Sequence, residues 1–290
     1  MPESFGEIED KGPDVSTDAL FDTKRYPINR RGAAAYKDLI SSARDGLADQ
    51  NCARLAAFIR PNVVERMQAE AAALVPQATY TKADLNPYFT APPEGLPEDH
   101  PLRRLSPRRH GMVRGDRFAR AGLVWAVFQN DDLCAFVADC LGYEKLYTYR
   151  DPFGCVNANI QPEGCEFAWH FDNNDFTVSF GLKQPQEGGV FEYVPDLRTQ
   201  TDENFDEVKR VLDGDATRVR RLVLRPGDLQ LFRGGQTLHR VTAPVGEDRL
   251  SLLLSYVSDP ANLVSAETAI RLWGEAHPLH LHQGATERRA

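Results

Sequence analysis

The feature that most constrains the fold of this chain is a series of short strand-like segments between Lys145 and Val257. Within this series large apolar residues alternate with small or polar ones, most regularly from Phe176 to Leu182. A period of two places one side of a strand against a core and the other side away from it. Turn sequences rich in Gly, Pro and Asp separate the segments, for example at 151–154, 161–164 and 226–228. Many short strands at this spacing are typical of a sandwich or a barrel, so we expect a mainly β core.

Stretches with the period of an amphipathic helix flank this core, and one is inserted within it. We predict a short strand at 52–59, and helices at 33–50, 62–74, 131–141, 202–212 and 261–275. Repeated prolines between 76 and 117 break any long element there. A loop of this length in a compact domain is usually functional or disordered. We expect it to be partly ordered and to cover the mouth of a site.

The length of 290 residues favours one elaborated domain over two. Residues 1–30 are polar and interrupted by Pro and Gly, which predicts a loosely packed N-terminal arm. The remaining residues, 31–290, are then a single domain. Its expected parts are a helical support at 31–142, the β core at 145–257, and a C-terminal helix and tail at 258–290.

Composition excludes several classes of function. The net charge of −8 and the pI of about 5.4 argue against a nucleic-acid-binding protein. No apolar run approaches the roughly 20 residues that span a bilayer, and the acidic N-terminus does not resemble a secretory signal. Five cysteines without a CxxC pair favour reduced thiols. We therefore expect a soluble, cytoplasmic protein. The Arg-rich run at 103–110 is a local exception, either a solvated loop or a source of cations for an anionic substrate group.

Three residues form a candidate metal site. His170 and Asp172 are two apart in a predicted strand, so their side chains point to the same face. His239, in a later predicted strand, would add a second imidazole. A face of two histidines and one carboxylate suits Fe(II) and leaves three coordination positions open. The pair His170-x-Asp172 alone is weak evidence, because it recurs by chance and a strand histidine is more often structural.

The order of four motif parts strengthens this prediction. His170-x-Asp172 is followed by His239 and then, ten residues later, by Arg249-x-Ser251. This arrangement resembles the Fe(II)/2-oxoglutarate-dependent oxygenase superfamily. The resemblance implies a double-stranded β-helix, a cupin-like jelly roll, with flanking helices. It also implies Fe(II), 2-oxoglutarate and O2 as cofactor and cosubstrates, with ascorbate supporting activity.

Four polar residues are candidates for cosubstrate binding. Arg249 and Ser251 are two apart on one strand and would point inward together. A guanidinium and a hydroxyl make a good receptor for the C5 carboxylate of 2-oxoglutarate. The alternative is a surface arginine on an edge strand. Asn159 and Gln161 share a face of the strand before the metal motif, where related oxygenases often place cosubstrate contacts. A cross-strand or turn role for these two residues stays open.

A closer resemblance is to small oxygenases of free amino acids, which include lysine halogenases and their hydroxylase relatives. The matching segments are Trp169-His170-Phe171, residues 188–195 with Arg198, and the Gly-Asp-Leu-x-Leu-Phe run at 227–232. In the halogenases a glycine replaces the carboxylate ligand, and chloride binds in the vacated position. This chain has Asp172 there. The resemblance therefore implies hydroxylation rather than chlorination.

The substrate contacts are less constrained by the sequence. An amino acid needs a cation for its carboxylate and an acceptor for each ammonium. Candidate substrate residues are Arg108, Arg109 and His110 in the covering loop, Asn173, Asn174 and Asp175 after the metal motif, and Glu192 and Trp273. Glu192 could equally be a solvated strand residue, and Trp273 could instead pack the C-terminal helix. Asn173 is neutral where lysine-directed relatives tend to carry an acid, which argues against lysine.

The leading hypothesis is an Fe(II)/2-oxoglutarate-dependent dioxygenase that hydroxylates an unactivated C–H of a free amino acid or similar small amine-bearing metabolite, releasing succinate and CO2. One alternative is an oxygenase of a peptide or carrier-tethered residue. Another is a non-catalytic cupin-like protein that binds a metal or ligand, although such a protein has no need of Arg249 and Ser251. The expected partner is a small molecule, with no nucleic acid and no membrane, and a homodimer stays open.

Overall fold

The structure is a computed structural model and describes residues 12–81, 83–174, 176–199 and 201–283. The helices of these residues are α1 (Thr17–Leu20), α2 (Ala34–Gln50), α3 (Pro61–Leu74), α4 (Leu123–Phe128), α5 (Asp131–Leu141), α6 (Phe205–Leu212), α7 (Ala266–Trp273) and α8 (Pro278–Gln283). The strands are β1 (Cys52–Leu55), β2 (Thr79–Tyr80), β3 (Ala83–Leu85), β4 (Ser106–Arg108), β5 (Gly111–Arg114), β6 (Tyr147–Thr148), β7 (Val156–Gln161), β8 (Phe167–His170), β9 (Thr177–Lys183), β10 (Phe191–Val194), β11 (Arg220–Leu222), β12 (Leu229–Phe232), β13 (Leu238–Val241), β14 (Arg249–Leu254) and β15 (Tyr256–Val257).

Two antiparallel sheets form the core of the molecule. The large sheet has the strand order β1-β12-β9-β14-β7-β5-β2, and the small sheet has the order β11-β10-β13-β8-β4-β3. Phe191 of β10 and Phe232 of β12 meet edge to face with ring centroids 4.9 Å apart, so the inner faces of the two sheets pack against each other. The expected mainly β jelly-roll core with flanking helices is confirmed.

Helices cover the outer face of the large sheet. Phe58 lies between Phe136 of α5, at 5.9 Å between ring centroids, and Phe180 of β9, at 6.3 Å. All three rings are fully buried. Burial of each such side chain contributes about 1.5–3 kcal/mol. Since the helices protect this face, the opposite face of the large sheet is left to form a site with the small sheet.

The predicted helices differ from the observed ones mainly at their ends. Helices α2, α3 and α5 lie where the sequence predicts them. The helix predicted at 261–275 begins later, at Ala266, and ends at Trp273. It begins there because Ser265 caps α7 by accepting a hydrogen bond from the Thr268 N–H. Helix α4 was not predicted. All six of its residues are buried, so it has no polar face and no amphipathic period.

The N-terminal segment is better packed than the sequence indicates. Leu20 and Phe21 are fully buried, and the Phe21 ring lies 5.1 Å from that of Phe58. The prediction of a loosely packed arm is therefore wrong for residues 12–30, because Leu20 and Phe21, together with the buried Tyr26 and Ile28, anchor a largely polar stretch. Residues 1–11 lie outside the described part of the chain, and the division into arm and domain stays a prediction.

The C-terminal helices are attached to the core by a buried polar contact. His280 Nε2 lies 2.9 Å from Asp151 Oδ2, and both side chains are fully buried. Asp151 also accepts backbone hydrogen bonds from Phe153, Gly154 and Val264. A buried carboxylate with this many donors is satisfied without a metal or a ligand.

Two further findings concern the described residues. All five cysteines of the chain are free thiols. None of the described helices combines the length and the apolar character that crossing a bilayer requires.

Candidate metal centre

Two histidines face each other across neighbouring strands of the small sheet. His170 ends β8, His239 lies in β13, and the two are direct partners in the antiparallel register. Their ring centroids are 4.0 Å apart and both residues are buried. Antiparallel partners project to the same face of a sheet, which explains why residues so distant in sequence converge.

Asp172 reaches the two imidazoles from the loop after β8. Its Oδ1 lies 3.6 Å from His170 Nε2 and 3.5 Å from His239 Nε2. Its Oδ2 accepts a 2.9 Å hydrogen bond from the Thr177 hydroxyl, and its N–H donates to the Gly234 carbonyl oxygen at 3.1 Å. A Cβ on Gly234 would lie 2.0 Å from Oδ2. Position 234 must therefore be glycine for the carboxylate to fit.

The hydrogen bonds of the two rings define which nitrogens are free. His170 Nδ1 lies 2.8 Å from the Ala168 carbonyl oxygen, and His239 Nδ1 lies 2.9 Å from the Thr237 carbonyl oxygen. Because a carbonyl oxygen only accepts, each Nδ1 carries the proton and each Nε2 presents a lone pair towards Asp172. Orientation of a ligating imidazole through its other nitrogen is common in metal sites.

The electrostatics keep His170 Nε2 and the Asp172 carboxylate free of protons. Burial, with the neighbouring His239, lowers the pKa of His170 to about 3. Burial favours the neutral form of Asp172, but the adjacent His239 and His170 outweigh it and hold the pKa of this carboxyl well below its usual range. The three ligand atoms all lie within 4.8 Å of one another. Two imidazole lone pairs and a carboxylate oxygen in this arrangement match the donor set of a non-haem Fe(II) site.

Arg249 is a buried cation without an anionic partner. It lies at the start of β14, Nη1 donates to the Ser251 hydroxyl at 3.3 Å, and Nε has no partner. No carboxylate of the described residues pairs with it, and burial lowers its pKa to about 10, so it stays charged at neutral pH. An unpaired buried charge is unfavourable unless a ligand of opposite charge binds to it. A carboxylate of 2-oxoglutarate is such a ligand.

The two other cosubstrate candidates have different surroundings. Gln161 pairs in register with Arg249, but its side-chain amide donates to three backbone carbonyl oxygens, those of Cys165, Val241 and Thr242. These contacts favour the cross-strand role that the sequence left open. Asn159 is opposite Ser251 in the same register, so it remains a candidate for a cosubstrate contact.

Arg108 and His110 lie beside the metal-binding strand. The Arg108 guanidinium is held between the rings of Phe89, at 4.0 Å, and Phe167, at 4.1 Å, and its Nε has no partner among the described residues. Burial lowers the pKa of Arg108 to about 9, opposed by the charge of Asp172. Burial lowers the pKa of His110 to about 4, and its ring stacks on Phe167 at 4.5 Å.

Three other candidates are not brought to the metal face. Arg109 is exposed and pairs with Asp84. Glu192 pairs with Arg240, the residue after His239 in β13, and so lies on the opposite face of the small sheet. Trp273 packs edge to face on Phe153 at 5.5 Å and holds the C-terminal helix to the core, as the alternative interpretation expected. Asp175 lies outside the described residues.

A loop from the Pro-rich stretch covers the metal face. The Phe89 ring lies 5.3 Å from that of His170, and the Phe171 N–H donates to the Pro87 carbonyl oxygen at 2.8 Å. Phe89 has a φ of +57°, which is unfavourable for a bulky residue. Asn86 maintains this conformation with hydrogen bonds to Tyr88, Thr90 and Leu102. Local sequence gave no signal for Phe89, because its backbone conformation depends on these contacts.

A cavity of about 570 Å³ opens beside Asp172. Its lining includes Asn173 and Asn174, two of the predicted substrate contacts. The sequence did not point to a role for five of its charged or polar residues, Tyr143, Thr199, Glu203, Arg233 and Gln236. Arg233 directly follows the Gly-Asp-Leu-x-Leu-Phe run, and its place at the end of a strand beside that motif was the available signal.

A family model and three solved structures resemble this chain. The model described as Halogenase D (HalD) matches residues 35–274. A search of curated proteins gave no match. AviO1 from Streptomyces viridochromogenes Tue57 has 17% sequence identity, covering 76% of this chain and 95% of its own, with a TM-score of 0.52.

The other two structures come from nogalamycin biosynthesis. The epimerase SnoN, in complex with Fe3+, alpha ketoglutarate and nogalamycin RO, has 13% identity, covering 76% of this chain and 84% of its own, with a TM-score of 0.52. The non-heme alpha ketoglutarate dependent carbocyclase SnoK has 13% identity, covering 74% and 82%, with a TM-score of 0.51. At this level of identity the likeness extends to the fold.

Proposed function

Because this chain belongs to the Halogenase D family, we propose that it is an Fe(II)/2-oxoglutarate-dependent oxygenase, and more narrowly a hydroxylase of a free amino acid or similar small amine-bearing metabolite. The observation that carries the proposal is the convergence of His170, Asp172 and His239, whose ligand atoms lie within 4.8 Å of one another. Their protonation pattern supports it, since both Nε2 atoms are free and the carboxylate is ionised. These three residues would hold the metal.

Arg249 and Ser251 would hold the cosubstrate. Arg249 is buried with an unpartnered Nε, and a dicarboxylic acid satisfies such a guanidinium. When bound, Fe(II) and 2-oxoglutarate together supply O2-dependent oxidation of a C–H bond, with release of succinate and CO2. The protein contributes a fixed ligand geometry and a site from which the ring of Phe89 excludes water.

Asp172 favours hydroxylation over halogenation, although the family takes its name from halogenases. The position that a halide would need next to the two imidazoles holds a carboxylate, which is fixed by Thr177 and enclosed by Gly234. A second anion there would be repelled at short range. We therefore propose that turnover does not depend on chloride and gives a hydroxylated product.

Arg108 supports an amino-acid substrate. Its guanidinium is charged, largely desolvated between two rings, and coupled electrostatically to Asp172. A carboxylate of the substrate would satisfy it. The loop that carries Phe89 covers the metal face, which favours a small substrate over a peptide or a carrier-tethered residue.

The test is succinate release from 2-oxoglutarate with Fe(II), ascorbate and a panel of amino acids. We expect coupling with at least one panel member, a product heavier by one oxygen, and the same rate in chloride and in a halide-free buffer. His170→Ala should abolish turnover, whereas His277→Ala, a histidine far from the cluster in sequence, should retain it. Turnover that survives His170→Ala contradicts the metal assignment. Metal binding without 2-oxoglutarate turnover would favour the non-catalytic alternative.

A further inference from the structure

The cavity beside Asp172 contains an arginine whose position is fixed. Arg233 follows β12, its N–H donates to the Asn51 carbonyl oxygen at 2.9 Å, and its carbonyl oxygen accepts from the Gln236 N–H at 3.3 Å. The next residue, Gly234, contacts the backbone and the carboxylate of Asp172. The backbone of Arg233 is therefore fixed next to the glycine that packs on the metal ligand, and its half-buried side chain lines the cavity.

The other charged residues of the lining already have partners. Asp172 faces the two imidazoles and accepts from Thr177. Arg198 donates from Nε to the Gly235 carbonyl oxygen at 2.6 Å and pairs through Nη1 with Glu203 at 3.3 Å. Within the described ranges, no hydrogen bond or ion pair involves the guanidinium of Arg233. Among the described residues of the lining, one positive charge is thus unmatched.

The uncharged residues of the lining also favour an anionic ligand. Tyr143, Asn173 and Gln236 bring hydroxyl and amide donors to the cavity. No described carboxylate of the lining is left free to receive a substrate ammonium, because Glu203 pairs with Arg198 and Asp172 faces the histidines. A guanidinium with neighbouring neutral donors is a receptor for a carboxylate rather than for an amine.

We infer that this cavity is the subsite for an acidic side chain of the substrate, with Arg233 as its receptor. The inference rests on the proposed function and specifies its substrate class as amino acids with a second carboxylate. Arg108 and Arg233 would then receive the two carboxylates, one beside His170 and the other beside Asp172.

The experiment compares amino acids that differ only in charge. Calorimetry measures binding of L-glutamate against L-glutamine, and L-aspartate against L-asparagine, to the full chain with Mn(II) and saturating 2-oxoglutarate. Saturation keeps glutamate out of the cosubstrate site, and Mn(II) prevents turnover. We expect at least one acid to bind about tenfold more tightly than its amide, the size of one charge-assisted hydrogen bond. Arg233→Gln should reduce the preference to within about twofold, and Arg233→Lys should retain part of it.

Arg225→Gln is the matched control, since Arg225 is exposed and does not line the cavity. It should keep the full preference, and all variants should bind Mn(II) as the parent does. Equal affinity for acid and amide in the parent, or a preference that persists in Arg233→Gln, overturns the subsite. Succinate release is measured separately with Fe(II). Selective binding of the acid without any release of succinate would support the subsite and contradict the proposed function. Release of succinate that is coupled only to neutral or basic amino acids would support the proposed function and contradict the subsite.

Discussion

At the residue scale, Asp172 has two differently occupied carboxylate oxygens. Oδ2 accepts a hydrogen bond from Thr177, and Oδ1 faces both imidazoles. Oδ2 is thus engaged in a hydrogen bond within the protein, and Oδ1 is free to bind an ion. This arrangement favours binding of a metal through Oδ1 alone. Thr177 acts through Asp172 and is a positioning residue for the metal site.

Removal of the Thr177 hydroxyl should weaken metal binding without unfolding the protein. Thr177→Val keeps the shape of the side chain but frees Oδ2 to rotate, and loss of such an outer contact typically lowers metal affinity by about 10- to 100-fold. Titration with Co(II), followed by its visible absorbance, measures the change. Thr177→Ser retains the hydroxyl and should bind as the parent does. An unchanged affinity in Thr177→Val would show that the carboxylate is oriented by other contacts.

Asp172→Gly should make metal binding sensitive to halide. The substitution opens the space beside Gly234 and removes an anionic ligand, so a chloride can take its place next to the metal. We expect affinity for Co(II) to fall by about tenfold or more, and to recover partly when chloride replaces gluconate as the buffer anion. The parent should not respond to chloride. Asp172→Asn removes the charge but keeps the volume, and a chloride response in this control would contradict the argument.

The convergence of His170, Asp172 and His239 was predictable from the sequence, because one motif determined both the residue types and the direction of their side chains. Few structural roles require two histidines, an aspartate and an arginine together in the order of His170, Asp172, His239 and Arg249. Glu192 failed because the face of a strand depends on its register with β13, which the sequence does not reveal. Arg233 was missed because a single arginine is usually a solvated residue, and its place directly after the Gly-Asp-Leu-x-Leu-Phe run is a weak signal until the fold shows that its guanidinium has no partner among the described residues.

At the scale of elements, the loop at 86–90 shows how a buried polar residue can hold an aromatic cover. The Asn86 side chain is 1% exposed and forms hydrogen bonds with Tyr88, Thr90 and Leu102. These contacts offset the unfavourable left-handed backbone of Phe89, which covers His170. The stretch was expected to cover the site, but its β3 and β4 strands, which extend the small sheet, were not predicted. A strand of three residues is too short for a period of two to be recognised, and β4 also contains a proline, Pro107.

Asn86→Ala should loosen this loop selectively. Several buried backbone groups lose their partner, each at a cost of about 1–3 kcal/mol, while the two sheets keep their packing. Hydrogen exchange should rise at Tyr88 and Thr90 and remain low in β9 and β14. Asn62→Ala, at an exposed position in α3, is the control. Protection at Tyr88 equal to that of the parent would mean that Phe89 is held by ring contacts alone.

At the scale of the whole molecule, the two sheets contribute different halves of the site. The small sheet carries His170 and His239, and the large sheet carries Arg249. A 2-oxoglutarate that binds both the metal and Arg249 would connect the sheets. Without that ligand, Arg249 is a buried charge whose pKa is lowered on folding. Since a base with a lowered folded-state pKa destabilises the fold at any pH below that value, Arg249 opposes folding at neutral pH until an anion binds.

Arg249→Met should therefore stabilise the free protein while removing its response to 2-oxoglutarate. Thermal unfolding is measured for the protein alone, with Mn(II), and with Mn(II) and 2-oxoglutarate. We expect the variant alone to melt at or above the parent, and Mn(II) to raise both equally. Loss of a charge-assisted contact should weaken 2-oxoglutarate binding by about 10- to 100-fold. At a concentration 100 times the parent Kd, 2-oxoglutarate then adds about 2.7 kcal/mol to the parent and roughly 0.4 kcal/mol to a variant that binds 100-fold more weakly. Arg249→Lys keeps the charge and should keep part of the response, and a full response in Arg249→Met would mean that the diacid is held elsewhere.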